Sequence, residues 1–254
     1  RGPQGTLYGR NATGGVVNVM TAKPVDHFTA NIKGEVGNFN TRKVRGMINV
    51  PLGDKLIVRV AGSYLNRDGF GKNLFNGLDV GTMESLSLRS KWKAELGAAT
   101  SATVIFDYSK LKGAFPAYRP VPGELPLTGV PFVGGKFDAN SDVQPMTDNE
   151  EYGVSLNLTH EFAGAKLVSI SAYRHGKWKF AFDSESLPLP LLSANGAVPN
   201  KAFSQELQLI STASGPLNWA LGLYYFNRKS GYIPAQVSAP GLGFVQDFTT
   251  RQNT

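Results

Sequence analysis

The feature that most constrains the fold of this chain is the alternation of apolar and polar residues at every second position. In the stretch SLSLRSKWKAEL (residues 85–96), Leu86, Leu88 and Trp92 fall on one face, and Arg89 and Lys91 fall on the other. Successive side chains of a β-strand point to opposite faces, so this pattern predicts half-buried strands. The same alternation occurs in residues 28–36, 43–50, 55–67, 102–109, 152–162, 206–209 and 219–226. Residues 167–179 are strand-like with less distinct faces, and no stretch has the spacing of an amphipathic helix.

The lengths of the strands and of their connections narrow the architecture further. Many of the alternating stretches run for ten to fourteen residues, against about 5–6 in soluble proteins and about 9–11 in strands that span a bilayer. Tight connections at 51–54, 97–100, 163–164 and 214–216 alternate with long ones at 68–81, 113–149, 183–200 and 232–243. Six of the fifteen prolines lie in 113–149. Because proline cannot donate a hydrogen bond to a β-ladder, this segment is predicted to be a loop. Together these patterns predict an all-β, antiparallel transmembrane β-barrel with short turns at one end and long loops at the other.

The composition restricts the classes of function. The 254 residues contain no cysteine, which excludes disulfides and thiolate metal sites. No run of about 18 apolar residues is present, so a transmembrane helix is excluded. The net charge of +7 is compatible with nucleic-acid binding. The basic residues are spread along the chain, however, which favours a solvated or lumen-lining basic face.

The alternation also assigns a basic lumen face. Shifting residues 85–96 by one position would turn Arg89, Lys91 and Lys93 toward lipid, at a cost of about 2–4 kcal/mol each at mid-membrane. We expect this face to attract anionic substrates or to pair with carboxylates of another segment of the protein. The predicted lumen-facing basic residues are Lys33, Arg45, Arg59, Arg89, Lys91 and Lys93.

The chain opens on the glycine-rich segment RGPQGTLYGRNATGG. No Gly-Lys-Ser/Thr ends it, so it is not a phosphate-binding P-loop, and it has no Gly-x-Ser-x-Gly nucleophile turn. Glycine also allows close approach of backbone to backbone, and that is the role we predict here. The glycines concerned are Gly2, Gly5, Gly9, Gly14 and Gly15.

The extended opening, RGPQGTLYGRNATGGVVNVMTAKP, resembles the end of the plug domain of TonB-dependent outer-membrane receptors. The resemblance rests on Gly2-Pro3, Leu7-Tyr8-Gly9, Gly14-Gly15, the apolar stretch 16–20 and Thr21-Ala22-Lys23-Pro24. Residues 37–70 resemble the first barrel hairpins of that family, and 203–226 resemble a mid-barrel hairpin. This family resemblance implies that residues 1–24 are the C-terminal end of a plug domain. Residues 25–254 would then begin a barrel, with about ten of its expected twenty-two or so strands, and we expect further strands beyond Thr254.

The resemblance implies active import across the outer membrane of a Gram-negative bacterium. The substrates of that family are usually ferric siderophores, and sometimes cobalamin, haem or oligosaccharides. The expected partners are a TonB-type energy-transducing complex, contacted by a segment upstream of this chain, and outer-membrane lipid. We expect no catalytic residue, cofactor, resident metal or nucleic-acid partner. The alternatives are a passive, porin-like channel and a soluble basic β-protein that binds nucleic acid.

The family pairs plug arginines with lumen-facing barrel glutamates. By that likeness we predict that Arg1 or Arg10 pairs with Glu206, because a buried guanidinium needs a carboxylate. Acidic residues around the long loop 113–149 (Asp138, Asp142, Asp148, Glu150, Glu151) could form a cation site, but a solvated loop is favoured. The loop aromatics either stack on a ligand or pack the loop on itself. They are Phe115, Tyr118, Phe132 and Phe137.

One enzyme-like pattern is present. Ser90-Lys91-Trp92-Lys93, Ser193-Ala194-Asn195 and Lys229-Ser230-Gly231 match, in order, the motifs of penicillin-recognising serine enzymes. That chemistry needs Ser and Lys on one helical turn. Residues three apart on a strand point to opposite faces, so we expect Ser90 and Lys93 to be separated.

Overall fold

The protein is described by a computed structural model that covers residues 19–114, 129, 131–185, 187–214 and 217–253. Nearly all of its regular structure is β-strand, with one short 3-10 helix, η1 (Pro240–Leu242), in the described ranges. The strands are β1 (Thr29–Gly37), β2 (Thr41–Pro51), β3 (Leu56–Arg67), β4 (Gly71–Lys72), β5 (Asp79–Val80), β6 (Met83–Glu95), β7 (Thr100–Gly113), β8 (Met146–Phe162), β9 (Ala165–Asp183), β10 (Ser193–Ser211), β11 (Ala220–Ser230), β12 (Ala235–Ala239), β13 (Phe244–Phe248) and β14 (Gln252–Asn253).

A single antiparallel sheet dominates the fold. Its strands run in the order β1-β2-β3-β6-β7-β8-β9-β10-β11-β14, so each long strand pairs with its neighbours in sequence. The short strands β4 and β5 form a separate hairpin in the connection between β3 and β6. This arrangement confirms the predicted all-β, antiparallel up-and-down wall. Among the described residues, no helix is long and apolar enough to cross a membrane.

The tight connections form one end of the sheet. The β8–β9 ladder runs down to the pair Phe162 and Ala165, which leaves only two residues for the turn. Gly164 occupies the second of these positions with φ of +84°, a conformation that glycine adopts without steric cost. The short turns therefore lie together, and we call this the short-turn end and the opposite end the long-loop end.

All four of the predicted long loops contain strand residues, since β4 and β5 lie in 68–81 and β8 begins at Met146, inside 113–149. Strands β9 and β10 have 19 residues each and stay paired up to Asp183 and Ser193, so β10 starts inside the predicted loop 183–200. Strand β12 lies in the predicted loop 232–243 and pairs with both β10 and β13. The start of β10 (residues 193–200, SANGAVPN) shows no clear alternation of apolar and polar residues, so this extension is not marked in the sequence.

The register divides the sheet into two faces. The inner face is the one contacted by residues 21–27, and Asn49, Arg59 and Lys91 lie on it as directly opposed neighbours. The outer face carries a row of residues paired across seven strands, and its large apolar members are 37–49% exposed. That row is Ile48, Val60, Ser90, Phe106, Val154, Tyr173 and Phe203.

Candidate functional site on the inner face

Lys91 attaches the N-terminal segment to the wall. Its Nζ donates hydrogen bonds to the carbonyl oxygens of Thr21 at 2.9 Å and Ala22 at 3.0 Å. The residue is only 8% exposed, because the segment covers it. A buried ammonium needs acceptors, and here main-chain carbonyls supply them.

Asn49 on β2, in the same row as Lys91 and two strands away from it, makes a second attachment. Its Oδ1 accepts from the backbone N–H of Val25 at 3.0 Å, and its Nδ2 donates to the carbonyls of Val25 and His27 at 2.8 Å each. The side chain is fully buried. The segment 21–27 is therefore held by five hydrogen bonds from two wall residues.

A carboxylate paired with two arginines lies on the inner face, two residues closer to the long-loop end than the row of Lys91. Asp107 on β7 accepts from Arg89 Nη2 at 3.0 Å and from Arg174 Nη1, which is 2.6 Å from Oδ1 and 2.8 Å from Oδ2. The Asp107 side chain is 10% exposed, whereas those of Arg89 and Arg174 are 39% and 52% exposed. One carboxylate thus pairs with two guanidinium groups, so this group of three side chains has a net charge of one positive unit.

These residues line a cavity of about 520 Å³ on the inner face. Its charged lining consists of four cations, Arg59, Arg89, Lys91 and Arg174, and two carboxylates, Asp107 and Glu151. The cavity is open, and Thr21 and Ala22 form one side of it. Its chemistry suits an anionic group or carboxylate side chains from another segment.

The register places all six of the sequence-predicted basic residues on the inner face with Lys91. Four of them pair with carboxylates of the wall itself. Lys33 and Arg45 both contact Glu35, at 3.4 and 3.2 Å. Arg89 contacts Asp107 at 3.0 Å, and Lys93 contacts Glu95 at 2.8 Å. Sequence reasoning missed these carboxylates and Arg174. Lys33 with Glu35 and Lys93 with Glu95 lie two apart on one strand face, so their pairing was readable from the sequence.

The plug-motif residues Arg1, Arg10, Gly2, Gly5, Gly9, Gly14 and Gly15 lie outside the described residues. Glu206 is described, and its register with Ile170 and Tyr224 places it on the inner face. Its Oε1 accepts a hydrogen bond from Gln208 Nε2 at 2.5 Å. The proposed pairing of Glu206 with Arg1 or Arg10 stays a prediction.

The long loops after β3 and β7 dock on each other. Asn73, fully buried, donates to the carbonyl of Ser141 at 2.9 Å and accepts from the Ser141 N–H at 3.0 Å. The Phe137 ring packs edge-on against Phe70, with centroids 5.2 Å apart, and is half exposed. Phe132 lies in the same loop, while Phe115 and Tyr118 fall outside the described residues.

The acidic residues around the long loop 113–149 do not form one cluster. Asp138 accepts from the backbone N–H groups of Lys72 at 2.9 Å and Gly135 at 2.8 Å. Glu150 and Glu151 are neighbours on β8, so their side chains point to opposite faces of the sheet.

Asp142 instead joins two residues from another loop. Asp142, Asp183 and Glu185 place carboxylate oxygens within 4.8 Å of one another. Burial first, and Glu185 next, raise the pKa of Asp183 to about 7. Asp183 lies eighteen positions beyond the start of β9, in the loop layer outside the length that crosses a bilayer.

The serine-enzyme pattern is not assembled. Ser90 lies on the outer face, where its Oγ accepts from Trp92 Nε1 at 2.5 Å, and Lys93 lies on the inner face. The hydroxyl and the amine are therefore on opposite sides of one sheet.

Known proteins resemble this chain in sequence over a short stretch and in fold over its whole length. No protein-family model matches the sequence. Over 57 residues the chain is 37% identical to the pesticin receptor of Yersinia pestis, a match that covers 22% of this chain and 8% of that protein. The structure superposes on the ferric yersiniabactin uptake receptor FyuA from Yersinia pestis with a TM-score of 0.74 and 18% identity, covering 100% of this chain and 47% of that one.

A second solved structure gives the same result. The ferric-catecholate import receptor Fiu from E. coli, in its open form, superposes with a TM-score of 0.68 and 14% identity, covering 91% of this chain and 39% of that one. The chain therefore spans less than half the length of these proteins. At such identities the likeness shows the fold, and it confirms the resemblance to TonB-dependent receptors.

Proposed function

We propose that this chain, whose fold is that of the TonB-dependent outer-membrane receptors, is part of an active importer of a scarce iron complex. The substrate we propose is a ferric siderophore. The structural neighbours, a ferric yersiniabactin uptake receptor and a ferric-catecholate import receptor, support this choice. The proposed location is the outer membrane of a Gram-negative bacterium, and the proposed energy source is a TonB-type complex.

The observation that carries the proposal is the difference between the two faces of the sheet. Large apolar side chains such as Phe106, Leu221 and Leu223 are exposed on the outer face. Soluble proteins rarely expose contiguous apolar patches larger than a few hundred Å². In the row of Arg59 and Lys91 the charged side chains lie on the opposite face, as in the interior of an outer-membrane barrel. This supports a wall with lipid outside and a polar lumen inside.

The lumen side supports passage of an anionic complex. Four cations and two carboxylates line the inner cavity, and low-dielectric walls focus such a field on a diffusing anion. Because Asp107 already compensates part of the charge on Arg89 and Arg174, Arg59 and Lys91 contribute most of the remaining attraction.

The attachment of segment 21–27 suggests how force reaches the lumen. A pull on the chain before Thr21 loads the two hydrogen bonds to Lys91 first. The three bonds to Asn49 lie behind them along the chain, at Val25 and His27. Lys91 is therefore the releasable contact, and Asn49 keeps the segment on the wall while the plug moves.

The test is import by the full-length protein in its host. A deletion strain is grown under iron limitation with one ferric complex at a time, and binding is measured for any complex that fails to support growth. We expect one complex to fail, growth to return with the wild-type gene, and uptake to stop when TonB is removed. Uptake that persists without TonB would establish a passive channel instead. Lys91→Met should slow uptake without abolishing binding, and Lys55→Met, in the exposed turn before β3, is the matched control.

A further inference from the structure

A second basic cavity lies on the outer face, away from the lumen. Its volume is about 430 Å³, and Lys201 on β10, Lys229 on β11 and Arg251 before β14 supply its charged lining. Pro199, Ser230, Ile233 and Asn253 complete the lining, and no acidic residue is part of it. The lysines point to the outer face, because their neighbours Ala202 and Arg228 share the inner face with Arg174.

The two lysines are directly opposed in the ladder. Lys201 pairs with Lys229, and like charges at directly opposite positions repel each other. Their remaining ladder neighbours, His175 and Asn253, carry no negative charge. Within the described part of the chain, Lys201, Lys229 and Arg251 make no side-chain hydrogen bond or ion pair.

Neighbouring lysines on the same face are arranged differently. Lys110 contacts Glu150 at 3.5 Å. Lys177 lies opposite Glu150 in the ladder, and Lys179 lies opposite Asp148. The wall thus places carboxylates beside its other lysines at this level. Among the described residues the cluster on β10 and β11 lacks that compensation, and this points to an anion from outside the described residues as its partner.

The position of the cluster along β10 and β11 indicates which kind of anion it binds. Lys201 precedes the end of β10 at Ser211 by ten positions, and Lys229 follows Trp219 by ten, while Ser211 and Trp219 are hydrogen-bonded at the short-turn end. A bilayer-spanning strand has about 9–11 residues. The lysines therefore lie where the strands leave the hydrocarbon.

Aromatic side chains lie just below the lysines on the outer face. The rings of Phe203 and Tyr225 are 6.3 Å apart, two and four residues closer to the short-turn end than the lysine pair. Aromatic rings concentrate at the boundary between hydrocarbon and headgroups. Cations immediately above such rings lie at the level of lipid phosphates.

We propose that Lys201, Lys229 and Arg251 bind the phosphate of a lipid headgroup in the outer leaflet. The inference rests on the outer-membrane location in the proposed function. A guanidinium can bind two phosphate oxygens at once, and the two ammonium groups supply compact charge. The bound phosphate relieves the repulsion between the opposed lysines, and the acyl chains lie along the apolar outer face below.

The test is lipid binding to the full-length protein, purified in a non-ionic detergent and stripped of lipid. Native mass spectrometry measures retention of phosphatidylglycerol, and phosphatidylcholine, whose headgroup has no net charge, is the matched lipid. We expect phosphatidylglycerol to be retained preferentially. The double variant Lys201→Gln/Lys229→Gln should lower its affinity about tenfold or more, because two charged contacts are removed. Lys55→Gln/Lys166→Gln, near the short turns, should have no effect.

Equal retention of phosphatidylglycerol by the wild type and the Lys201→Gln/Lys229→Gln variant overturns the proposal, provided that both run as folded barrels on semi-native gels. Displacement of the lipid by an equal concentration of inorganic phosphate also overturns it, since the site would then bind free phosphate. No iron complex is present in the lipid-binding measurement, so its result does not depend on transport. A protein that binds the lipid but imports nothing contradicts only the proposed function, and one that imports but does not bind the lipid contradicts only this inference.

Discussion

Arg174 on β9 reaches Asp107 on β7 across the whole width of β8, with its Nη1 2.6 and 2.8 Å from the two carboxylate oxygens. The β8 residue between them is Gly153. A Cβ at that position would lie 2.7 Å from Arg174 Cδ and 3.0 Å from Asp107 Oδ2. The ion pair therefore depends on the absence of a side chain at position 153.

This relationship predicts the effect of Gly153→Ala. The added methyl group should displace the Arg174 side chain and lower the free energy of unfolding by about 1–3 kcal/mol, the usual cost of overpacking. The measurement is the temperature at which the folded band converts to the unfolded band on semi-native gels. Gly222→Ala is the control, because its Cβ would meet only a backbone oxygen at 3.9 Å. Equal midpoints for the two variants would contradict the prediction.

Asp107→Asn should destabilise the barrel through charge rather than space. It leaves Arg89 and Arg174 facing an uncharged amide, and we expect a loss of about 1–3 kcal/mol, below the usual cost of breaking a fully buried pair because both arginines are partly exposed. Glu95→Gln, which removes the half-exposed pair with Lys93, should cost under about 1 kcal/mol. The ranking is checked by the same gel assay and fails if Glu95→Gln is the more damaging change.

Asn49→Ala should release the segment that joins the N-terminal region to the wall. Three hydrogen bonds disappear, so backbone amides from Val25 to Phe28 should exchange with solvent about tenfold faster or more. Hydrogen-exchange mass spectrometry of the folded protein measures the effect. Asn31→Ala, at an exposed position on β1, should leave this exchange unchanged. Unaltered protection in the Asn49 variant would show that other contacts hold the segment.

Asn73→Ala should separate the loops after β3 and β7. The buried amide makes two hydrogen bonds with Ser141, and its loss should cost the loop pair about 1–3 kcal/mol. Exposed Asn76 in the same loop contacts Gln144 at 3.2 Å, and Asn76→Ala should have little effect. Hydrogen exchange over residues 71–80 and 137–144 distinguishes the variants. Comparable exchange in both would mean that other contacts, such as the hydrogen bond from the Lys72 N–H to Asp138, hold the loops.

The packing of Asp183 should weaken as pH rises. Burial and Glu185 raise its pKa to about 7, so the protonated form is favoured in the folded loop. This contribution to stability is fully present below the ordinary aspartate pKa of about 3.9 and is lost as pH rises through about 7. Protection of amides 183–192, corrected for intrinsic exchange, should fall between about pH 5 and about pH 8.5. Asp183→Asn should abolish the decline, and a decline of the same size in that variant would refute this assignment.

Much of the inner face was readable from the sequence because a strand has a fixed period. Once Arg89, Lys91 and Lys93 are placed opposite Leu88 and Trp92, every other residue of the strand has its face. The start of β10 was not readable, because residues 193–200 lack a clear alternation of apolar and polar residues. The loop contact between Asn73 and Ser141 joins residues 68 positions apart, and no local pattern marks it.

The sequence by itself determined the antiparallel wall, its faces and its short-turn end, because alternation and turn residues act within a few positions. Only the tertiary structure decided which charges meet. Asp107 and Arg174 lie 67 residues apart, and their pairing depends on the register of three strands and on the space beside Gly153. The opposition of Lys201 and Lys229 likewise exists only in the register of β10 and β11. Strand register sets which side chains come within a few ångströms, and the energy of charged pairs depends on that distance.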